Sequence, residues 1–131
     1  MLGLLIILGL TFAGIGFLLN EQNAPTLLAG YNTMSAAEQQ KVDIGAYLGA
    51  FKRFHLFLGI SIFLLGLLIW QLDQPKALEM FLTAYPMLAY IYFIRTSAKY
   101  WPDSQQKMQK MGIYVLIGTL VVVLGLIVFA T

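Results

Sequence analysis

The chain reads as an all-α integral membrane protein, a bundle of four transmembrane helices, and three observations predict that class. Hydrophobic residues make up 60% of its 131 residues and charged ones only 11%, against roughly 25% charged in ordinary globular chains. So few charges would cover a water-exposed surface poorly. They are also clustered, leaving four runs of 17 to 20 residues with no charge or a single one. Finally, the lysines and arginines divide seven to one between the two sides that four spans would create.

The four runs are residues 2–19, 56–72, 77–94 and 111–130, and only the third holds a charge, Glu79. As helices they extend about 26–30 Å, enough to cross a hydrocarbon core of about 30 Å. Backbone groups in lipid must pair within the segment, which leaves helix as the form for isolated apolar runs. A soluble bundle would need a polar face on each helix, and none has one. The first run lacks a basic start and a small-residue cleavage pattern, and Asn20-Glu21-Gln22-Asn23 follows it. It is expected to be a retained first helix rather than a signal peptide.

Together these place residues 1–131 in one transmembrane domain with loops at 20–55 and 95–110. Lys41, Lys52 and Arg53 lie in the first loop and Arg95, Lys99, Lys107 and Lys110 in the other, against Lys76 alone on the opposite side. The positive-inside rule then puts both loops in the cytoplasm and both termini outside.

The first loop opens with a turn-rich stretch, and Ser35 then stands three residues before Glu38, the spacing of a capping box. A helix is expected from Ala36, with Ala37, Ile44, Leu48, Phe51 and Leu58 at helical spacing, continuing into the second span as far as Leu72. Asp103 and Gln106 repeat the capping logic before the last span. Glycines recur seven apart as Gly9/Gly16, Gly59/Gly66 and Gly118/Gly125. Such pairs share one helix face and let backbones approach closely. Gly59, Gly66, Gly118 and Gly125 are therefore expected at helix contacts. The third span carries Pro86, which removes an intrahelical hydrogen bond. Tyr85, Ala89 and Tyr92 share a face there, either packed in the bundle or lining a groove. Tyr92, Tyr100 and Trp101 read as an interfacial aromatic belt.

Several function classes find no support. The net charge of +2 comes without a basic stripe, so no nucleic-acid partner is expected. Cysteine is absent. His55, the lone histidine, reads as an interfacial residue beside Lys52 and Arg53, too little for a metal site. No nucleophile motif or phosphate-binding glycine loop is present, so neither enzymatic activity nor a cofactor is expected. A proton-coupled transporter needs a carboxylate deep in the membrane; here the first span departs from apolar only at Thr11 and its glycines.

The most specific feature is Ala29-Gly30-Tyr31-Asn32-Thr33-Met34-Ser35, followed by Glu38. Gly30 and Asn32 tolerate positive φ, Tyr31 offers an anchor, and Ser35 caps the helix. The motif, set after an apolar first span, resembles that of the small bacterial membrane proteins of domain of unknown function 3784. The resemblance covers residues 1–72 well and the rest loosely; it implies a bacterial membrane protein and no particular activity. A looser similarity runs to bacteriocin-immunity membrane proteins, whose loop reads Gly-Tyr-Arg-Thr where Asn32 stands here.

The expected role is a non-catalytic accessory or interaction protein of the bacterial inner membrane, working through Gly30, Tyr31, Asn32, Thr33, Ser35 and Glu38. The alternative is an immunity or envelope-stress protein against a membrane-active toxin. A small transporter ranks below both. Beyond the lipid bilayer, the expected partner is another protein or a second copy of the chain.

Overall fold

The computed structural model describes residues 1–130; Thr131, the last residue of the domain read from sequence, lies outside them. The fold is all helical: α1 (Leu2–Ile15), α2 (Ala24–Leu27), α3 (Ala36–Gln39), α4 (Ile44–Gln71), α5 (Pro75–Ser97) and α6 (Gln106–Phe129), with two short 3-10 turns between the last two. The helices α4, α5 and α6 are each long and apolar enough to cross a membrane. This is the build of a membrane protein.

The boundaries differ from the sequence reading in three places. The first run stops being α-helical at Ile15, because a tighter turn takes over through Leu18. At 14 residues α1 is about 21 Å long. The helix expected from Ala36 onward is two helices. Ser35 caps α3, the chain turns after Gln39, and Asp43 opens α4 by accepting from the Ala46 backbone N–H at 3.3 Å. What breaks the continuity is Val42, which is buried in the core, and the Asp43 N–H, which donates to the Tyr100 carbonyl at 3.0 Å. The other helices overrun the apolar runs: α4 starts twelve positions before residue 56, and α6 five before residue 111.

The long helices pack in sequence, α1 on α4, α4 on α5 and α5 on α6. Within one chain this makes a row rather than a closed ring. Met1 lines the same cavity as Trp70, Asp73 and Pro75, so the chain start and the α4–α5 turn share one end of the molecule. The loop of residues 19–43 and the α5–α6 link occupy the other, where Asp43 meets Tyr100.

The glycines divide sharply. A Cβ at Gly9 would sit 3.0 Å from the Gly59 carbonyl oxygen, and one at Gly16 3.0 Å from the Lys52 carbonyl oxygen. A Cβ at Gly59 would strike the Gly9 carbonyl and come within 2.6 Å of the Ala13 nitrogen. At Gly66 it would meet Leu5 Cδ2 at 2.7 Å. Two of the three glycine pairs thus face each other across the α1–α4 seam, letting the backbones nearly touch. Gly118 and Gly125 are different: nothing in the chain lies within 4 Å of a Cβ at either position. The expectation of helix contacts there is corrected for the single chain, since α6 buries no residue at all.

Leucine at Gly59 or Gly66 is expected to lower the melting temperature in detergent, on the scale of ~1–3 kcal/mol for overpacking. Gly59 should cost more, because its neighbours are backbone and cannot swing away. Leucine at Gly118 or Gly125 should leave the monomer's melting unchanged. A loss at Gly125 matching that at Gly66 would show α6 packed through its glycines.

Candidate interaction site

The segment between α1 and α4 is fixed by its own polar side chains. Asn20 and Asn23 exchange bonds, each backbone N–H donating to the other's side-chain oxygen at 2.8 and 2.9 Å, while the Asn23 amide donates to the Leu18 carbonyl at 2.7 Å. Pro25 opens α2, where its fixed φ suits a first turn. Gly30 has φ +85°, the left-handed region that glycine enters without cost. The Thr33 hydroxyl donates to the Gly30 carbonyl at 3.2 Å and the Asn32 amide to the Thr26 carbonyl at 3.3 Å. Ser35 and Glu38 form the expected capping box: the Glu38 N–H donates to Ser35 Oγ, and the Ser35 N–H to Glu38 Oε2 at 3.1 Å.

Five apolar residues of this segment, Ala24, Leu28, Tyr31, Met34 and Val42, turn inward and join Tyr47 and Phe93 in one core cluster. Trp101 completes it, meeting Tyr31 and Tyr47 edge-on with ring centroids 6.3 and 5.1 Å apart. Edge-to-face aromatic pairs contribute about 0.5–1.5 kcal/mol each beyond the area they bury. The motif therefore splits in two. Tyr31 is a core residue, 7% exposed, whereas Asn32, Thr33 and Ser35 face outward. Tyr31 anchors the loop, as its sequence context suggested, and does not offer its ring to a partner.

The aromatic residues at the end of α5 divide. Trp101 packs into this core, while Tyr92 is 67% exposed and stands apart from it. The groove imagined between Tyr85 and Tyr92 does not form. The Tyr85 hydroxyl donates to Ser61 Oγ at 2.7 Å and its ring stacks on Phe81, so it seals the α4–α5 seam. Tyr92 precedes the buried Phe93 by one residue, about 100° around the helix, and points away. The helix α5 runs unbroken through Pro86.

His55 is where sequence reasoning missed most. It is 1% exposed rather than interfacial. Its Nδ1 lies 2.7 Å from the Phe51 carbonyl oxygen and its Nε2 2.9 Å from the Tyr90 hydroxyl. The carbonyl can only accept, so Nδ1 carries the proton and Nε2 accepts from Tyr90. The rings of Phe51, Phe54 and Phe93 close around it, with centroids 4.1 to 6.3 Å away. Both nitrogens are engaged, and the imidazole acts as a polar pin between α4 and α5. One signal was available: His55 lies four positions before Gly59 and eight after Tyr47, on the stripe that carries the α4 contacts.

The family model described as Domain of unknown function (DUF3784) matches residues 6–101 of the chain. The chain belongs to this family. No curated protein and no solved structure matches it. The DUF3784 region takes in the glycine seam, the loop motif, the His55–Tyr90 pin and the whole aromatic core, and it ends at Trp101. The last helix, α6, falls outside it.

His55→Leu is expected to destabilise the protein by ~1–3 kcal/mol, because it strands the Tyr90 hydroxyl in an apolar setting. Adding Tyr90→Phe should return most of that loss, since removing both partners of a buried bond is nearly neutral. Thermal melts of the single and double variants read this directly. Strict additivity would mean the two side chains do not depend on each other.

Proposed function

We propose that this DUF3784 member is a multi-pass protein of a bacterial cytoplasmic membrane, with four helices crossing as a bundle and both termini outside. On this reading it is a non-catalytic accessory protein that docks a partner protein on its cytoplasmic loop. The observation that carries the reading is the construction of that loop. A segment of some 25 residues outside the spans is held rigid by Tyr31, Leu28 and Met34 beneath it and by Asn20, Asn23 and the Ser35–Glu38 box within it. Such construction stabilises more than a connector between two helices needs. Its exposed face offers Asn32 and Thr33 on a constrained backbone, and recognition residues are commonly carried on loops held by a rigid scaffold.

The orientation rests on the seven-to-one distribution of lysine and arginine, and acidic residues carry little weight in that rule. Alkaline phosphatase fused after residue 131 should be active, and green fluorescent protein fused there should be dark. The reverse pattern would place the loop outside and end the docking proposal. Extraction at alkaline pH should leave the protein in the membrane pellet.

Docking is tested at Thr33, which is exposed and outside the core. A photo-crosslinking residue there should give one discrete adduct in intact cells, while the same residue at lipid-exposed Tyr114 should give none. An Asn32→Ala, Pro25→Ala pair should abolish the adduct at Thr33 without moving the melting temperature by more than a few degrees. An adduct at Tyr114 alone would refute the loop as the docking surface.

A further inference from the structure

A cavity of about 190 Å³ lies between the motif loop, the end of α5 and the start of α6. Its walls include Tyr47 from α4, Phe93 and Ser97 from α5, Trp101 from the link, Gln105 just before α6 and Gln109 in its first turn. One buried polar atom stands beside it without a partner. The Gln109 side-chain oxygen is buried and accepts no hydrogen bond. Tyr47, 8% exposed, also lines the cavity, and no hydrogen bond from its hydroxyl is found among the described residues, although that oxygen is not itself cut off from solvent. An unmet buried polar group costs ~1–3 kcal/mol, so native proteins keep few of them and those few call for a reason.

The walls restrict what fits. No lining residue is charged, and a buried ion without a counter-charge is strongly disfavoured, so the occupant is neutral. The rings of Tyr47, Phe93 and Trp101 favour a flat aromatic group, which they can meet edge-on or offset. The volume exceeds that of one or two waters at ~30 Å³ each and falls short of the ~300 Å³ where drug-sized pockets begin. That is room for about one ring. A hydroxyl on the ring both donates and accepts, so it satisfies the Gln109 amide in either orientation, and the Tyr47 hydroxyl as well.

We propose that this cavity is a binding site for an uncharged, ring-sized phenol or hydroquinone group held by the Gln109 amide and the Tyr47 hydroxyl between aromatic walls. The group reaches it either as a free compound or as the head of a lipid-tailed one. The site does not depend on the outward face of the loop, so it stands or falls separately from partner docking. The loop does bear on it: Ala29 lines the cavity, and a Cβ at the neighbouring Gly30 would come within 2.8 Å of Met108 at the start of α6.

Trp101 is its own reporter, because the chain has only one other tryptophan, Trp70, at the opposite end. The full chain carrying Trp70→Phe, purified in detergent, is titrated with p-cresol while Trp101 emission is followed. A saturable change is expected with p-cresol and none with toluene, which has the ring but no hydroxyl. Gln109→Leu should weaken binding about tenfold, a loss of ~1.4 kcal/mol. Gly112→Leu should block it at full stability, since Gly112 lines the cavity and a Cβ there meets nothing within 4 Å. Para-nonylphenol binding at least tenfold tighter than p-cresol would assign the ligand to the membrane, and equal affinities would assign it to the aqueous side. A linear response shared by p-cresol, toluene and the Gly112→Leu chain is partition into detergent and overturns the proposal. So does the absence of any response in the parent chain, which would leave only water in the cavity.

Discussion

Gly59 rests on the backbone of α1, and this one approach sets how the rest of the chain is arranged. In lipid, apolar surface gains nothing by leaving its surroundings, so helices associate through close van der Waals contact and hydrogen bonds. The α1–α4 seam supplies the first of these. Gly9 and Gly59 bring carbonyls and Cα hydrogens of the two helices together, and Gly16 and Gly66 extend the contact along the seam. The short α1 has no other large partner. With α1 fixed on one face of α4, the segment that follows has a defined starting point beside the first turns of α4, and its apolar side chains can fold onto the helix ends.

The α4–α5 seam works by the second means. Two hydrogen bonds cross it at different levels, Tyr85 to Ser61 and Tyr90 to His55. Where bonds of this kind have been measured in membranes they average about 0.6 kcal/mol each. Their value here lies in register. A one-turn slip of α5 along α4 would break both together and leave a buried imidazole without its partner. The aromatic core beyond them then receives Phe93 and Trp101 at the height that Tyr31 and Tyr47 require. Packing and polar pinning thus converge at the loop-bearing end.

Composition alone revealed the long helices, because an apolar run of that length in lipid has one available form. The capping box at Ser35 and Glu38 was equally legible, being a local pattern with a local cause. The break before Ile44 was not. It depends on Val42 being buried and on the Asp43 N–H finding a carbonyl in the α5–α6 link, a contact more than fifty residues distant. His55 was misplaced for a related reason. Its neighbours in sequence, Lys52 and Arg53, are exposed and suggested an interface, yet a helix turns 100° per residue and its true neighbours are Phe51, Tyr90 and Phe93. The glycine repeat was read correctly as a device for close approach, but periodicity carries no information on which repeats meet. Two of the three meet within the chain, and the third faces outward.

That outward face belongs to the one helix beyond the DUF3784 match. The matched region already contains both seams and every residue of the aromatic core, so the unit closes without α6. The last helix buries none of its residues, and its hold on the molecule is its length along α5. Yet its first turns, with Gln105 just ahead of them, put Met108 and Gln109 on the cavity that Ala29, Trp101 and Tyr47 also line, making a wall that the matched region lacks. A loop face for docking would therefore be common to every chain with this motif and core. The cavity would exist only where a helix like α6 follows, and the amide it contributes is the group that gives the cavity its chemistry.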